Sequence, residues 1–427
     1  MAAGTDISLQ KQVIYSIYVR NHTPEGTFLS VIPDLDRIRA LGTDIIWLMP
    51  IHPIGVKGKK GSLGCPYANR DYRTVNPAYG TMEDFRALVD AIHARGMKCI
   101  IDVVYNHTSP DSTLLSEHPE FFWRGEDGQV GNKIGDWADV IDLDYSAPGL
   151  WDYQIESLKQ WASVVDGFRC DVASFVPLDF WKRARAEVET VRPGCIWLAE
   201  TVHRGFGVFA RREGFHSFRD TEGFEAFDIE YEYDIREAFD AYIRGEGSLS
   251  HWLDLMCFQE AAYPQNYNKL RFLENHDQPR IASLARSEGE LENLTAMLYF
   301  CKGTTLIYAG QEVAAAHVPS LFEREPVDWD TGVDLSGLMA RLYAIKRDIL
   351  GADDDFTARG DDERHIAVLE RVNAEGKKLG VFSLRGKSGE AAVSLPDGTY
   401  ENLIDGTPVA VSEGKLRCAG KPIIIKA

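Results

Sequence analysis

The stretch Gly167-Phe168-Arg169-Cys170-Asp171-Val172-Ala173-Ser174 decides how the rest of the chain is read. A short apolar run gives way to an arginine and, two residues later, a carboxylate. That is the pattern of a buried strand delivering Asp171 at its carboxyl end to a surface where loops meet. In a parallel α/β protein, chemistry is placed at that end of a strand. An Asp in such a place also serves as a helix N-cap or a turn residue, so the neighbouring segments have to decide.

Working outward, strand-like and helix-like segments alternate on both sides of Asp171. Val13 to Val19, rich in Ile, Tyr and Val, reads as a first strand, and Leu29 to Leu41 as a helix stopped by Gly42. Asp44 to Pro50 is a continuous apolar run, the kind buried on both faces of a parallel sheet. A Gly- and Pro-rich excursion follows from Ile51 to Tyr79. Thr81 and Asp84 form a capping-box pattern for a helix that runs to Arg95 and stops at Gly96.

Met97 to Val104 is the third strand, followed by about 40 residues of irregular acidic and aromatic loop, a length that in a compact domain marks function. After the Asp171 strand come a helix from Pro177 to Val191 and strands at Cys195 to Glu200, Phe227 to Tyr231, Lys269 to Asn275 and Thr304 to Tyr308. A helix follows Asp234, and Leu338 to Leu350 is the helix of the last strand. Eight such units in a row predict a (β/α)8 barrel. Beyond Asp355 the texture changes to short alternating runs separated by Gly, Asp-Gly and Asn, the signature of a small antiparallel β domain.

Composition agrees with a soluble globular enzyme: of 427 residues, 44% are hydrophobic and 26% charged. A formal charge of -19 argues against nucleic acid or an anionic membrane as partner. The first residues lack a basic and an apolar leader segment, and no run is long enough to span a bilayer, so a cytoplasmic location is expected. Seven cysteines are scattered without a CxxC spacing; Cys99, Cys170, Cys195 and Cys301 sit among apolar residues as buried thiols.

Four of the strand ends carry one chemical vocabulary: Asp102 to His107, Arg169 to Asp171, Glu200, and Asn275-His276-Asp277. A barrel brings these ends to one mouth. Several carboxylates, two histidines and an arginine in that space are electrostatically costly, which speaks for function. The glycines from Gly55 to Gly64 lack P-loop order, Ser109 and Ser174 have no G-x-S-x-G elbow, and His203 after Glu200 makes no HExxH. Glycoside chemistry fits: one carboxylate as nucleophile, a second with a raised pKa as acid and then base.

With these segments in view, the chain resembles the α-amylase family of retaining α-glucan-active glycoside hydrolases. Asp102-Val103-Val104-Tyr105-Asn106-His107, Gly167 to Asp171, Trp197 to Glu200 and Phe272-Leu273-Glu274-Asn275-His276-Asp277 match its four signature segments in order. The resemblance implies a (β/α)8 barrel over residues 1–107 and 146–352, a short inserted loop domain over 108–145 and a β-sandwich-like domain over 353–427.

It implies Asp171 as nucleophile, Glu200 as general acid/base and Asp277 as the third carboxylate, binding hydroxyls of the distorted ring. Arg169 would keep Asp171 ionised and aimed, with Asp102 bracing the base of the site. His107 and His276 would hydrogen-bond ring hydroxyls, and Tyr67 would stack on the sugar being cleaved. The expected substrate is an α-1,4-linked maltodextrin or starch-type α-glucan, cleaved through a covalent glycosyl-Asp171 intermediate without a cofactor.

The match departs from the family in two places. Ser174-Phe175 stands where many members have Lys-His, which implies a leaving-group site with an apolar wall. Calcium is left open: Asn106 and Asp142 are the two candidate ligands, against the six to eight oxygens the ion prefers. Trp123, Trp137 and Trp151 around the long loop read either as its own core or as sugar platforms.

Two other functions share the pattern. A transglycosylase or isomerase, such as a 4-α-glucanotransferase or trehalose synthase, keeps the mechanism and changes the acceptor. A non-catalytic barrel like the ancillary subunits of amino-acid transporters would have lost the carboxylates that this chain keeps.

Overall fold

In the computed structural model, which describes residues 4–134 and 137–427, eight parallel strands close into a barrel. They are β1 (Val13–Ile17), β2 (Ile45–Leu48), β3 (Lys98–Val103), β4 (Gly167–Cys170), β5 (Ile196–Ala199), β6 (Ile229–Tyr231), β7 (Lys269–Arg271) and β8 (Thr304–Tyr308). Each pairs with its sequence neighbours, and β8 closes on β1. Every strand residue except Lys98 is buried; β1, β2 and β5 read as near-continuous apolar runs for that reason, while β6 and β7 bury Glu230, Lys269 and Arg271 inside the barrel.

The capping pattern at Thr81 is realised: its hydroxyl accepts from the Asp84 amide, Asp84 answers to the Thr81 amide, and the helix Met82–Ala94 follows. Gly149, with φ of 91°, turns the chain into the helix Leu150–Ala162 in a conformation that favours glycine. The segment expected as one helix from Leu29 to Leu41 is instead Phe28–Val31, a 3-10 turn Ile32–Asp34 and Leu35–Ala40. Pro33, which has no N–H to donate, sits at that break.

β7 is shorter than the apolar run suggests. After Arg271, side chains replace the ladder: Phe272 N–H donates to Glu232 at 3.2 Å, and Arg236 donates to the carbonyls of Phe272 and Leu273. Released from the sheet, residues 274–277 turn into the mouth.

The chain after the barrel forms two antiparallel sheets. One is β9 (Asp355–Asp361), β10 (Ile366–Asn373), β11 (Gly376–Ser383) and β16 (Ile423–Lys426); the other contains β12 (Ser388–Ala392), β13 (Gly398–Glu401), β14 (Pro408–Ser412) and β15 (Lys415–Ala419). Period-two alternation assigns the faces. Ile366 and Val368 of β10 join the core between the two sheets, while Ala367 and Leu369 belong to the core of the barrel. At that joint Asp354, fully buried, pairs with Arg371 at 3.0 Å and Lys378 at 2.9 Å.

The long segment after β3 folds over the mouth, held by a two-residue ribbon between His107–Thr108 and Ile141–Asp142. Its tryptophans part company. Trp151 packs edge-on against Phe180 of a barrel helix, whereas Trp137 lies 5.6 Å from the His107 ring and lines the cleft. Among the described residues no helix is long and apolar enough to cross a membrane.

Candidate active site

The strand ends meet where the sequence places them. Asp102 and Arg169 are register partners across β3 and β4, so their inward side chains lie side by side on the barrel floor. Arg169 Nη1 donates to Asp102 Oδ1 at 3.0 Å and to Asp171 Oδ1 at 2.8 Å, while Nη2 lies 2.9 Å from Glu200 Oε1. One fully buried guanidinium therefore serves three carboxylates. The faces of Trp47, Tyr67 and Tyr231 surround it at 5.2 to 5.6 Å from their centroids, adding a cation–π collar.

The carboxylates outnumber the cation, and their proton affinities reflect it. Burial pushes Asp171 up to about 6 despite Arg169, with Asp102 adding repulsion. Asp102 likewise rises to about 6, and Glu200 to about 7, burial being the main cause in each. Arg169 thus offsets only part of the burial at Asp171, less than its proximity alone suggests. Burial raises both Asp171 and Glu200, and a carboxyl raised in this way can hold a proton near neutral pH.

Asp277 behaves oppositely. It sits deep in the mouth yet faces the open cleft, with its carboxylate 43% exposed; burial there is outweighed by His276, whose Nε2 lies 3.0 Å away, and the pKa falls. His276 is raised in turn, its burial outweighed by the Asp277 charge. Tyr67 shares that Nε2 at 2.8 Å, donates to Asp102 at 3.0 Å, and stacks on the His276 ring at 5.3 Å. One face of Tyr67 is thus occupied by a histidine. Burial lowers the pKa of His107, so this ring is neutral at pH 7; its Nε2 stands 4.0 Å from Asp171 Oδ2.

Tyr67, His107, Asp171, Glu200, His276 and Asp277 line one cleft of about 310 Å³ with Asp102 and Arg169 at its floor, while Phe175, expected as an apolar wall, is buried behind the lining. Two features were not foreseen. The Val172 N–H donates to Glu200 Oε2 at 2.8 Å, and Val172 holds φ of +36°, a left-handed conformation that is strained for a β-branched residue. Strain beside a candidate nucleophile, used to aim an amide at a second carboxylate, is an active-site feature. Trp47 and Tyr231 form the collar around Arg169. Trp137, read from the sequence as loop core or sugar platform, lines the cleft and joins Phe175 and Phe206 in an aromatic cluster with centroids 5.1 to 6.5 Å apart.

The candidate calcium ligands do not assemble a cage among the described residues. Asn106 Nδ2 contacts Asp142 Oδ1 at 3.4 Å, and Asp142 Oδ2 already accepts from the Lys133 N–H at 2.8 Å. The Lys133 ammonium itself donates to the Leu143 carbonyl at 3.2 Å. Among the described residues no group of three or more His, Cys, Asp or Glu side chains is placed to hold a metal ion. A neighbouring ammonium is also the wrong company for a cation that needs six to eight oxygens.

A closed parallel barrel with this mouth and two trailing antiparallel sheets defines a class, and comparison with known proteins names it. The model of the α-amylase catalytic domain matches residues 11–121 and 123–355, and that of the bacterial α-amylase C-terminal domain matches 357–425. The chain belongs to the α-amylase family. It is similar to the crystal structure of an α-amylase from Lactobacillus plantarum, with 44% identity, a TM-score of 0.94, and 99% of this chain and 100% of that one covered.

It is 25% identical to the α-amylase MalA of Haloarcula japonica, over 95% of this chain and 59% of MalA. It is 26% identical to a cyclomaltodextrin glucanotransferase from a Bacillus species, over 64% and 42% respectively. The chain spans about half the length of the curated relatives it matches.

Proposed function

We propose that the protein is a retaining glycoside hydrolase acting on α-1,4-linked glucans. In this reading Asp171 attacks the anomeric carbon while Glu200, its pKa raised by burial, gives its proton to the departing glycosidic oxygen. The bond from Arg169 to Asp171 aims the nucleophile, and the Val172 amide aims the acid. Glu200, now ionised, then takes a proton from water, whose oxygen attacks the glycosyl-Asp171 ester and restores both groups. Asp277, His276 and His107 face the cleft where ring hydroxyls would lie.

The observation that carries the reading is the single buried guanidinium contacting both Asp171 and Glu200 at the floor of the cleft. The test is maltoheptaose followed by proton NMR from the first seconds of reaction. Shorter maltosaccharides released as the α-anomer are expected; β-anomer first, or no cleavage, contradicts the proposal.

Transfer to a sugar is a second reading, favoured by Trp137, which lines the cleft with Val172 and Glu200 and is backed by Phe175 and Phe206. A flank of that kind offers an arriving sugar ring an apolar face and gives water no polar anchor. Products longer than maltoheptaose in the same experiment would mark it. A cytoplasmic location is supported by seven thiols that are all unpaired.

A further inference from the structure

The cleft has two unlike ends. Glu200 after β5 and Phe175 after β4 mark the leaving-group side, because the acid must reach the departing oxygen. Half a turn around the barrel, the loop after β8 brings Leu321 and Phe322 to the opposite wall. In an α-1,4 chain C1 and O4 lie at opposite ends of each ring, so a glucan bound with C1 at Asp171 runs towards that wall with its non-reducing end.

There the way out is strapped shut. The loop of residues 57–64 after β2 reaches across to the β8 loop: Leu63 N–H donates to the Phe322 carbonyl at 3.0 Å, and Ser62 N–H to Glu323 Oε1 at 2.7 Å, with the Ser62 hydroxyl on the other carboxylate oxygen. Arg20, only 5% exposed, ties both loops from beneath by donating to the carbonyls of Gly64 and Leu321, each at 3.1 Å. Gly61, at φ of +63°, passes so close that an added Cβ would lie 2.6 Å from Phe322 Cβ. On the third side Lys60 pairs with Asp139 of the long β3 loop at 2.9 Å, both lining the cleft. One backbone bond, the Ser62–Glu323 bonds, a buried arginine and a glycine contact join the two loops into one wall.

We infer that the strap of residues 57–64 on the β8 loop closes the donor end of the cleft, so that the enzyme attacks α-glucans only from a free non-reducing end. The inference rests on the α-glucan reading above. A cyclic glucan, or a linear one with a bulky group on its terminal ring, cannot thread a closed end, whereas a free end can enter and dock. Lys60 and Asp139 are then the polar groups placed to meet the terminal hydroxyls.

The test compares three probes on the intact protein by chromatography: maltoheptaose, maltoheptaose carrying a 4,6-ethylidene group on its non-reducing ring, and a cyclodextrin. Cleavage of the free chain with the other two slower by at least about a hundredfold is expected. Cleavage of all three at similar rates overturns the inference and leaves the glucan reading standing. Cleavage of none removes the glucan reading, and the inference with it. In Ser62→Ala combined with Glu323→Ala, the blocked chain should gain at least tenfold relative to the free chain; no gain in a folded variant removes the strap as the cause. Should that variant fail to fold, the three-probe comparison on the parent protein decides alone.

Discussion

Two buried ion clusters in this molecule have opposite arithmetic. In the mouth one guanidinium, Arg169, faces three carboxylates, Asp102, Asp171 and Glu200. At the joint between barrel and C-terminal sheets one carboxylate, Asp354, lies between Arg371 and Lys378. The joint is closed off from solvent and each oxygen of Asp354 has a cationic donor, an arrangement that holds two parts of the chain together. The mouth is left with excess negative charge that burial penalises, and all three of its carboxylates are pushed up towards neutrality as a result. An under-neutralised cluster that opens to a cleft can exchange protons with a substrate, and a satisfied, sealed one cannot.

The comparison can be broken at either end. Asp171→Ala should cut turnover by on the order of 10⁴-fold or more while leaving the urea midpoint unchanged or higher, since it relieves repulsion. Appreciable residual hydrolysis would remove Asp171 from its role. Glu200→Gln should lose about 10²–10⁴-fold on maltosaccharides and far less on aryl glycosides with good leaving groups, in single-turnover measurements. Equal losses on both would count against an acid.

Asp354→Ala should do the reverse, costing about 3–5 kcal/mol in urea unfolding by leaving two buried cations unpaired, with kcat/KM of the folded fraction unchanged. Normal stability in that variant would erase the distinction between the two clusters.

The pH profile sharpens the contrast. Asp171 must be ionised to attack and Glu200 protonated to donate, so kcat/KM should form a narrow bell, falling below about pH 6 and above about pH 7. Linkage gives a companion effect. The folded pKa of Glu200 lies above its unfolded value, so the native state loses stability as pH rises from the unfolded value through about 7. Glu200→Gln should therefore raise Tm at pH 8 and not at pH 4. The smallest effect is expected from Phe175→Ala, a few-fold shift of maltoheptaose products from longer oligosaccharides towards hydrolysis, read by chromatography.

Most of the barrel was legible because strands such as β1, β2 and β5, buried on both faces, are largely apolar, and β8 matches its reading residue for residue. The C-terminal sheets were half legible: β10 and β11 are buried over six consecutive residues each, but β13, with no fully buried residue, leaves no pattern to read. The candidate site was legible where charge appears at a strand end, as at Asp171, Glu200 and Asp277. Trp47 and Tyr231 were not, because an aromatic facing Arg169 inside a barrel looks like any core residue in sequence. Nor was the strap, whose partners Ser62 and Glu323 are joined only by folding.

The most direct measurement is to react the Glu200→Gln protein with 5-fluoro-α-maltosyl fluoride and map the product by peptide mass spectrometry. The leaving fluoride needs no acid, and without its base the ester should persist. A glycosyl adduct on Asp171 alone is the result predicted here. An adduct on another residue, or fluoride release with no adduct at any time point, would contradict it.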